Sequence, residues 1–128
     1  MPAATDTFNF SNIESIQHVQ QWKQVDICGV VAEVGQVENK NLKSGEQKAQ
    51  RNVVLIDDSG YGISIGLWGL TCNRITEQHI HSVVVFKGVS VSDYSGKSLN
   101  FSDKESKIST EIVNERTSAL KRWYSDLK

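Results

Sequence analysis

The sequence predicts an all-β domain: a five-stranded Greek-key barrel with a short connector helix and a closing C-terminal helix. Three observations carry this. β-branched runs recur along the chain between polar turns. One long polar stretch follows the first run. Only one later gap, between the third and fourth runs, has room for a helical connector. A sandwich would need more strands, and a parallel α/β sheet would need helices between successive strands.

The elements follow in order. Residues 1–12 read as a lead-in carrying Phe8 and Phe10, two aromatics placed to staple onto the domain. Apolar Ile13, Ile16 and Val19 give residues 13–23 a weak helical spacing. The run from Val25 to Val34 is a long first strand, and its internal Gly29 marks the bend that lets one strand serve both sides of a small barrel. Residues 35–50 read as a long hairpin loop. The second strand is Asn52 to Asp57, Asp58-Ser59-Gly60 a tight turn, and Tyr61 to Trp68 the third strand. Gly69 to Ile75 is the connector, Val83 to Val91 the fourth strand, and Tyr94-Ser95-Gly96 lies in the next turn. Lys97 to Phe101 opens the fifth strand, which Lys107-Ile108-Ser109 continues after a break. The closing helix spans roughly 113–127, with Ala119, Leu120, Trp123 and Leu127 on one side. Residues 13–111 thus form the barrel domain, and 112–128 lead out of it.

Composition narrows the function. The chain has 128 residues, 38% of them hydrophobic, enough for one domain with its own core. Fourteen basic residues against 15 acidic ones exclude a generally basic surface, so any anion site is a local patch. Cys28 and Cys72 are too few for a zinc knuckle, and Cys28 in its apolar run reads as a buried free thiol. No apolar run reaches membrane length, and the start lacks a signal-peptide pattern, which points to an intracellular protein.

Alternation separates the two faces of the third and fourth strands. Tyr61, Ile63, Ile65 and Leu67 share the core side, while Gly62, Ser64, Gly66 and then Trp68 share the other. That second row is stripped of bulk and ends in a large flat ring, as a base approaching the backbone would require. In the fourth strand Val89 and Val91 face inward, and Gly88, Ser90, Ser92 and Tyr94 face out, again small residues ending in an aromatic. Trp68 and Tyr94 are therefore candidate stacking platforms for single-stranded nucleic acid. The plainer readings are a core tryptophan at a strand end and a half-exposed turn tyrosine; Trp22 and Trp123 read as core or lid packing. Lys43, Lys48 and Arg51, with Lys40, lie in or just after the first hairpin loop, and Lys87 and Lys97 bracket the turn after the fourth strand. In an OB-fold barrel those loops flank one groove, so the cations would hold phosphates unless they are simply solvated. Strict alternation turns Lys87 inward with Val85 and Val89, so its place in the groove requires a bulge near Gly88.

With these residues in view, the chain resembles the second central DNA-binding domain of the replication protein A large subunit. The likeness runs from Phe8-Asn9-Phe10 to Trp123-Tyr124, through Val25-Asp26-Ile27-Cys28-Gly29, Arg51-Asn52, Asp57-Asp58-Ser59-Gly60 and Leu67-Trp68-Gly69. Its most specific stretch is Lys87 to Leu99. The resemblance implies a nuclear module that stacks single-stranded DNA on Trp68 and Tyr94, has no cofactor, and works beside sister OB domains and other subunits in replication, repair, recombination or telomere maintenance. Tyr94 stands where the family usually has phenylalanine. Ser90 replaces an expected arginine, Ser95 a glycine, and Gln50 a basic residue. These departures imply weaker affinity or a specialised relative, such as a telomere or telomerase-associated paralogue preferring G-rich repeats.

Other functions find less in the sequence. His79-x-His81 has no cysteine or carboxylate at ligand spacing, which argues against a metal site. Asp57-Asp58 reads as a strand end and turn, since neighbours on a strand point apart. No phosphate loop or nucleophile motif appears, so no catalytic residue is expected. The rival is an OB module for protein partners, with Trp68 as anchor.

Overall fold

The computed structural model describes residues 10–92, 98–101, 106–110 and 114–127. Helix α1 (Ile13–Ile16) is followed by strands β1 (Gln24–Val34), β2 (Glu38–Asn41), β3 (Gln47–Ile56) and β4 (Gly62–Trp68). Two 3-10 turns, Gly69–Asn73 and Glu77–His79, connect β4 to β5 (Val83–Ser92); β6 (Ser98–Asn100), β7 (Lys107–Ser109) and helix α2 (Glu115–Leu127) complete the order. The pairing β1-β3-β4-β6-β5 closes on itself through β5 and β1, which makes the five-stranded OB barrel. β7 pairs the first half of β5 and β6 the second, so the fifth barrel strand is broken into two.

β1 pairs β5 along its first half and β3 along its second. Gly29 permits the close approach at the crossover: a Cβ there would lie 3.1 Å from both the Ile56 carbonyl oxygen and Leu55 Cβ. β5 carries the second irregularity. Its register against β1 slips between the Val25 and Ile27 pairings, and Gly88 takes a φ of 70°. This is the bulge that the position of Lys87 requires. Asp26 Oδ1 accepts from the Gly88 N–H at 2.9 Å, which fixes it in place. The extra residue changes which parity faces the barrel. Phe86, Val89 and Val91 all enter the interior, while Val85 turns the other way, under α2.

Two apolar clusters result. The barrel interior holds Ile27, Val31, Val53, Leu55, Ile63, Ile65, Leu67, Phe86 and Leu99 among others, sealed at one end by Ile13 and Ile16. Outside the wall, Cys28, Val30, Val83 and Val85 are covered by Leu120 of α2, with Phe10, Trp123 and Tyr124 at the margin. Burial there pushes the Cys28 thiol up to about 12. Asn114 and Thr117 cap α2 reciprocally, each backbone N–H donating to the other's side-chain oxygen at 2.9 Å. Asp57 is fully buried and joins the ends: Oδ2 accepts from the Ile13 N–H at 2.7 Å, and Oδ1 from the Ser59 N–H at 2.9 Å. Its neighbour Asp58 takes the Arg116 guanidinium through both oxygens, at 3.0 and 2.8 Å, and this holds its carboxyl below the usual carboxylate range.

Several sequence expectations change. The predicted loop 35–50 is largely a two-stranded ribbon, β2 against the first part of β3, turning at Gly45 with φ 88°. Only four residues of 13–23 are helical. Tyr61 precedes β4 and is exposed, and Leu127 points away from the α2 contact. Trp123 is half-buried against the barrel, but Trp22, expected to pack as core or lid, is 70% exposed. The expectation fails because Trp22 sits on a turn with φ 73°, outside any periodic element. Phe8 lies outside the described residues.

Candidate nucleic-acid interface

The pairing of β3 with β4 defines the outer wall. Gln50 lies opposite Trp68, Asn52 opposite Gly66 and Val54 opposite Ser64. Across the next strands Gly66 meets Asn100, Asn100 meets Ser90, and Ser90 meets Gln24. Five strands thus contribute one transverse row of small or amide side chains: Asn52, Gly66, Asn100, Ser90, Gln24. The row crosses the strands rather than following one.

Trp68 stands beside this row and is half-buried. Ile63, Ile65 and Leu67 are buried inside, so alternation keeps the indole on the outer side. Thr71 anchors the ring's backbone: its hydroxyl donates to the Trp68 carbonyl and accepts from the Trp68 N–H. Gly66 is not the open floor that a base approaching the backbone would require: it is buried, and neighbouring side chains close over it. A Cβ there would meet Gln50 Nε2 at 3.2 Å, Asn100 Oδ1 at 3.4 Å and Trp68 Nε1 at 3.6 Å. Two amides and the indole N–H therefore converge on the one position without a side chain. Gln50 Nε2 also donates to Asn52 Oδ1 at 2.6 Å, which orders the pair.

The sequence-predicted cations separate into groups. Lys48 shares the β3 face of Gln50 and Asn52, and on the ribbon it lies directly opposite Lys40. Like charges in register repel, relieved here by Glu38, 3.8 Å from Lys40. Lys43 is exposed in the turn beyond. Lys87, brought round by the Gly88 bulge, lies 3.5 Å from Asp26 and lines a groove on the β1–β5 side with Lys23 and Lys107. Tyr94 and Lys97 lie outside the described residues.

Arg51 differs from the expectation of a groove cation. It pairs with Leu67 on the inward-facing register, and its Nη1 donates to the Cys72 carbonyl at 3.1 Å and the Ile75 carbonyl at 2.6 Å. The guanidinium closes the connector onto the barrel. Gln50, Asn52 and Asn100, conversely, line the wall although the sequence reading does not single them out for it. The parity of β3 carries that signal, since Gln50 and Asn52 alternate with inward Arg51, Val53 and Leu55.

The histidines have structural partners. His79 Nδ1 accepts from the Thr76 N–H at 3.0 Å, and the His81 ring stacks on Tyr124 and hydrogen-bonds its hydroxyl. Among the described residues no group of three metal-binding side chains converges, and no helix is long and apolar enough to cross a membrane.

Comparison with known proteins gives this geometry its relatives. The family profile of the replication protein A OB domain matches residues 13–111. Over 117 residues the chain is 32% identical to replication factor A protein 1 of Saccharomyces cerevisiae, covering 91% of the chain and 18% of that protein. Identity is 31% over 111 residues to the replication protein A 70 kDa DNA-binding subunit of Mus musculus, covering 86% of the chain and 17% of the relative. Among solved structures, a replication protein A heterotrimer bound to ssDNA superposes with a TM-score of 0.87 at 23% identity, over 94% of this chain and 29% of the other. A complex of Pot1 (protection of telomere) with ssDNA gives 0.72 at 12% identity, over 94% and 88%. The chain spans about a fifth of the length of its curated relatives. On the profile match and these identities, the chain belongs to the replication protein A OB-domain family.

Proposed function

We propose that this chain binds single-stranded DNA across the β3–β4–β6 wall, as a non-catalytic module. Bases stack on Trp68 and on Tyr94, with Lys43, Lys48, Lys87 and Lys97 near the phosphates. One observation carries the reading: a half-buried indole on the outer face of the wall, its backbone held by Thr71 and its ring edge packed beside the Gln50 and Asn100 amides over Gly66. An aromatic face gives sequence-tolerant stacking, about 1–3 kcal/mol per base, and the amides offer hydrogen bonds to base edges. Relatives named for replication, and a neighbour named for telomere protection, support a role on chromosomal DNA in the nucleus. Their greater length supports a place among sister OB domains and other subunits of a larger assembly. Within it a modest single-module affinity is raised by tethering. The departures at Gln50, Ser90 and Ser95 fit a specialised paralogue, such as a telomeric one with a G-rich preference.

Titration with an oligonucleotide of about ten bases, within OB site sizes, tests the proposal. Tryptophan fluorescence should quench, and added salt should weaken binding. Trp68→Ala should cost about 1–3 kcal/mol of binding, and Trp68→Phe should recover much of it. Unaltered fluorescence at low salt with micromolar protein would turn the assignment toward a protein partner.

A further inference from the structure

The transverse row does not stop at the barrel wall described above. Its last member, Gln24, is the first residue of β1, and two residues before it stands Trp22. This indole is 70% exposed and sits at φ 73°, a conformation that side chains other than glycine rarely adopt. The backbone holds it there. The Trp22 N–H donates to the Val91 carbonyl at 2.7 Å, and the Val91 N–H donates to the Lys23 carbonyl at 2.9 Å. Trp22 is thereby tied to the end of β5, beside the outward Ser90 and Ser92. A large aromatic held in solvent by a sparsely populated backbone conformation is a place to look for a ligand contact.

The ground beside it is cationic. Gln20, Lys23 and Gln24, which flank Trp22 in the chain, line a groove that also takes in His18, Lys87 and Lys107. Lys23 and Lys107 are exposed, and Lys87 pairs with Asp26, the groove's carboxylate. Among the described residues lining it, three lysines against one carboxylate leave a local surplus of positive charge on a chain whose net charge is −1. An exposed aromatic next to a positive groove is what a single strand needs: a ring for a base and cations for its phosphates. The uncharged row Asn100, Ser90, Gln24 runs in register from Gly66, beside Trp68, to this place.

We propose that Trp22 is a further stacking platform, and that the Lys23–Lys87–Lys107 groove carries the phosphates of single-stranded DNA beyond the Trp68 wall. The inference rests on the ssDNA reading above and extends its footprint around the barrel onto β1. It follows that strand length decides whether Trp22 matters. A short oligonucleotide is satisfied at Trp68, and a longer one reaches Trp22 as well.

The test compares the 128-residue chain with Trp22→Ala, Trp22→Phe, Lys107→Ala and Trp68→Ala on oligonucleotides of about 5 and about 14 bases, lengths within the OB range. Trp22→Ala should weaken the longer strand by roughly 5- to 100-fold, the equivalent of one stacked base, and leave the shorter one unchanged. Trp22→Phe should restore the longer strand. Lys107→Ala should shallow the salt dependence for the longer strand alone, by about 0.7 in log–log slope for one phosphate contact. Wild-type binding of both lengths by Trp22→Ala, with Trp68→Ala impaired, overturns the Trp22 platform and leaves the wall intact. Indifference of Trp68→Ala to both lengths overturns the wall reading itself. Loss of a protein partner by Trp22→Ala, with DNA binding untouched, also overturns the proposal.

Discussion

Replacing Arg51 separates a structural cation from a phosphate contact. Its guanidinium makes two hydrogen bonds to backbone carbonyls of the connector, at 3.1 and 2.6 Å. Hydrogen bonds from an ionised donor contribute about 1.5–3 kcal/mol each, so the gross loss in Arg51→Ala is about 3–6 kcal/mol. Against this, Arg51 Nε is buried without a hydrogen-bond partner. Removing that donor relieves a penalty of about 1–3 kcal/mol. The net expectation is a destabilisation of about 2–4 kcal/mol. For a domain of this size that lowers Tm by roughly 10 °C. Arg51→Lys keeps one point charge but not the fork, so it should fall between. Thermal unfolding measures the first effect, and ssDNA binding against salt concentration measures the second. With Arg51 turned inward, the salt slope of the folded variant should equal that of the parent. An unchanged Tm, with the slope shallower by about 0.7 for one lost phosphate contact, would refute the assignment and return Arg51 to the groove.

Two further expectations follow from the same structure. Gly29→Ala should destabilise by about 1–3 kcal/mol, because its Cβ would press on the Ile56 carbonyl and Leu55 Cβ, and neither is the free end of a flexible chain; urea unfolding measures this. The Asp58–Arg116 pair depresses the Asp58 pKa, so its contribution is complete above the ordinary value of 3.8 and disappears as pH falls through the lower folded value. Unfolding midpoints between about pH 2 and 5 should therefore drop more steeply for the parent than for Asp58→Asn, and parallel curves would deny the pair that role.

The barrel was legible because its strands announce themselves through β-branched residues, and their turns through Asp58-Ser59-Gly60 and similar clusters. The outward position of Trp68 was legible too, since alternation with Ile63, Ile65 and Leu67 decides it. Lys87 needed a bulge, and Gly88 supplied the visible clue. What the residues concealed lay where pairing overrides composition. The polar ribbon of β2 and the start of β3 has few β-formers and is held by the ladder between its two strands, Glu38–Asn41 against Gln47–Gln50. Arg51 looked like a surface cation by type, yet its parity with Val53 and Leu55 fixes it inside. Trp22 is the opposite case: a residue type that usually hides, held in solvent by a turn whose φ no local sequence pattern betrays.

The junction at Asp57 has a mechanical consequence. One carboxylate holds the start of α1 through Ile13, the turn after β3 through Ser59 and, with Asp58, the first turn of α2 through Arg116. Loss of this single carboxylate would therefore loosen both terminal helices at once, while the strand ladders of the barrel kept their own hydrogen bonds.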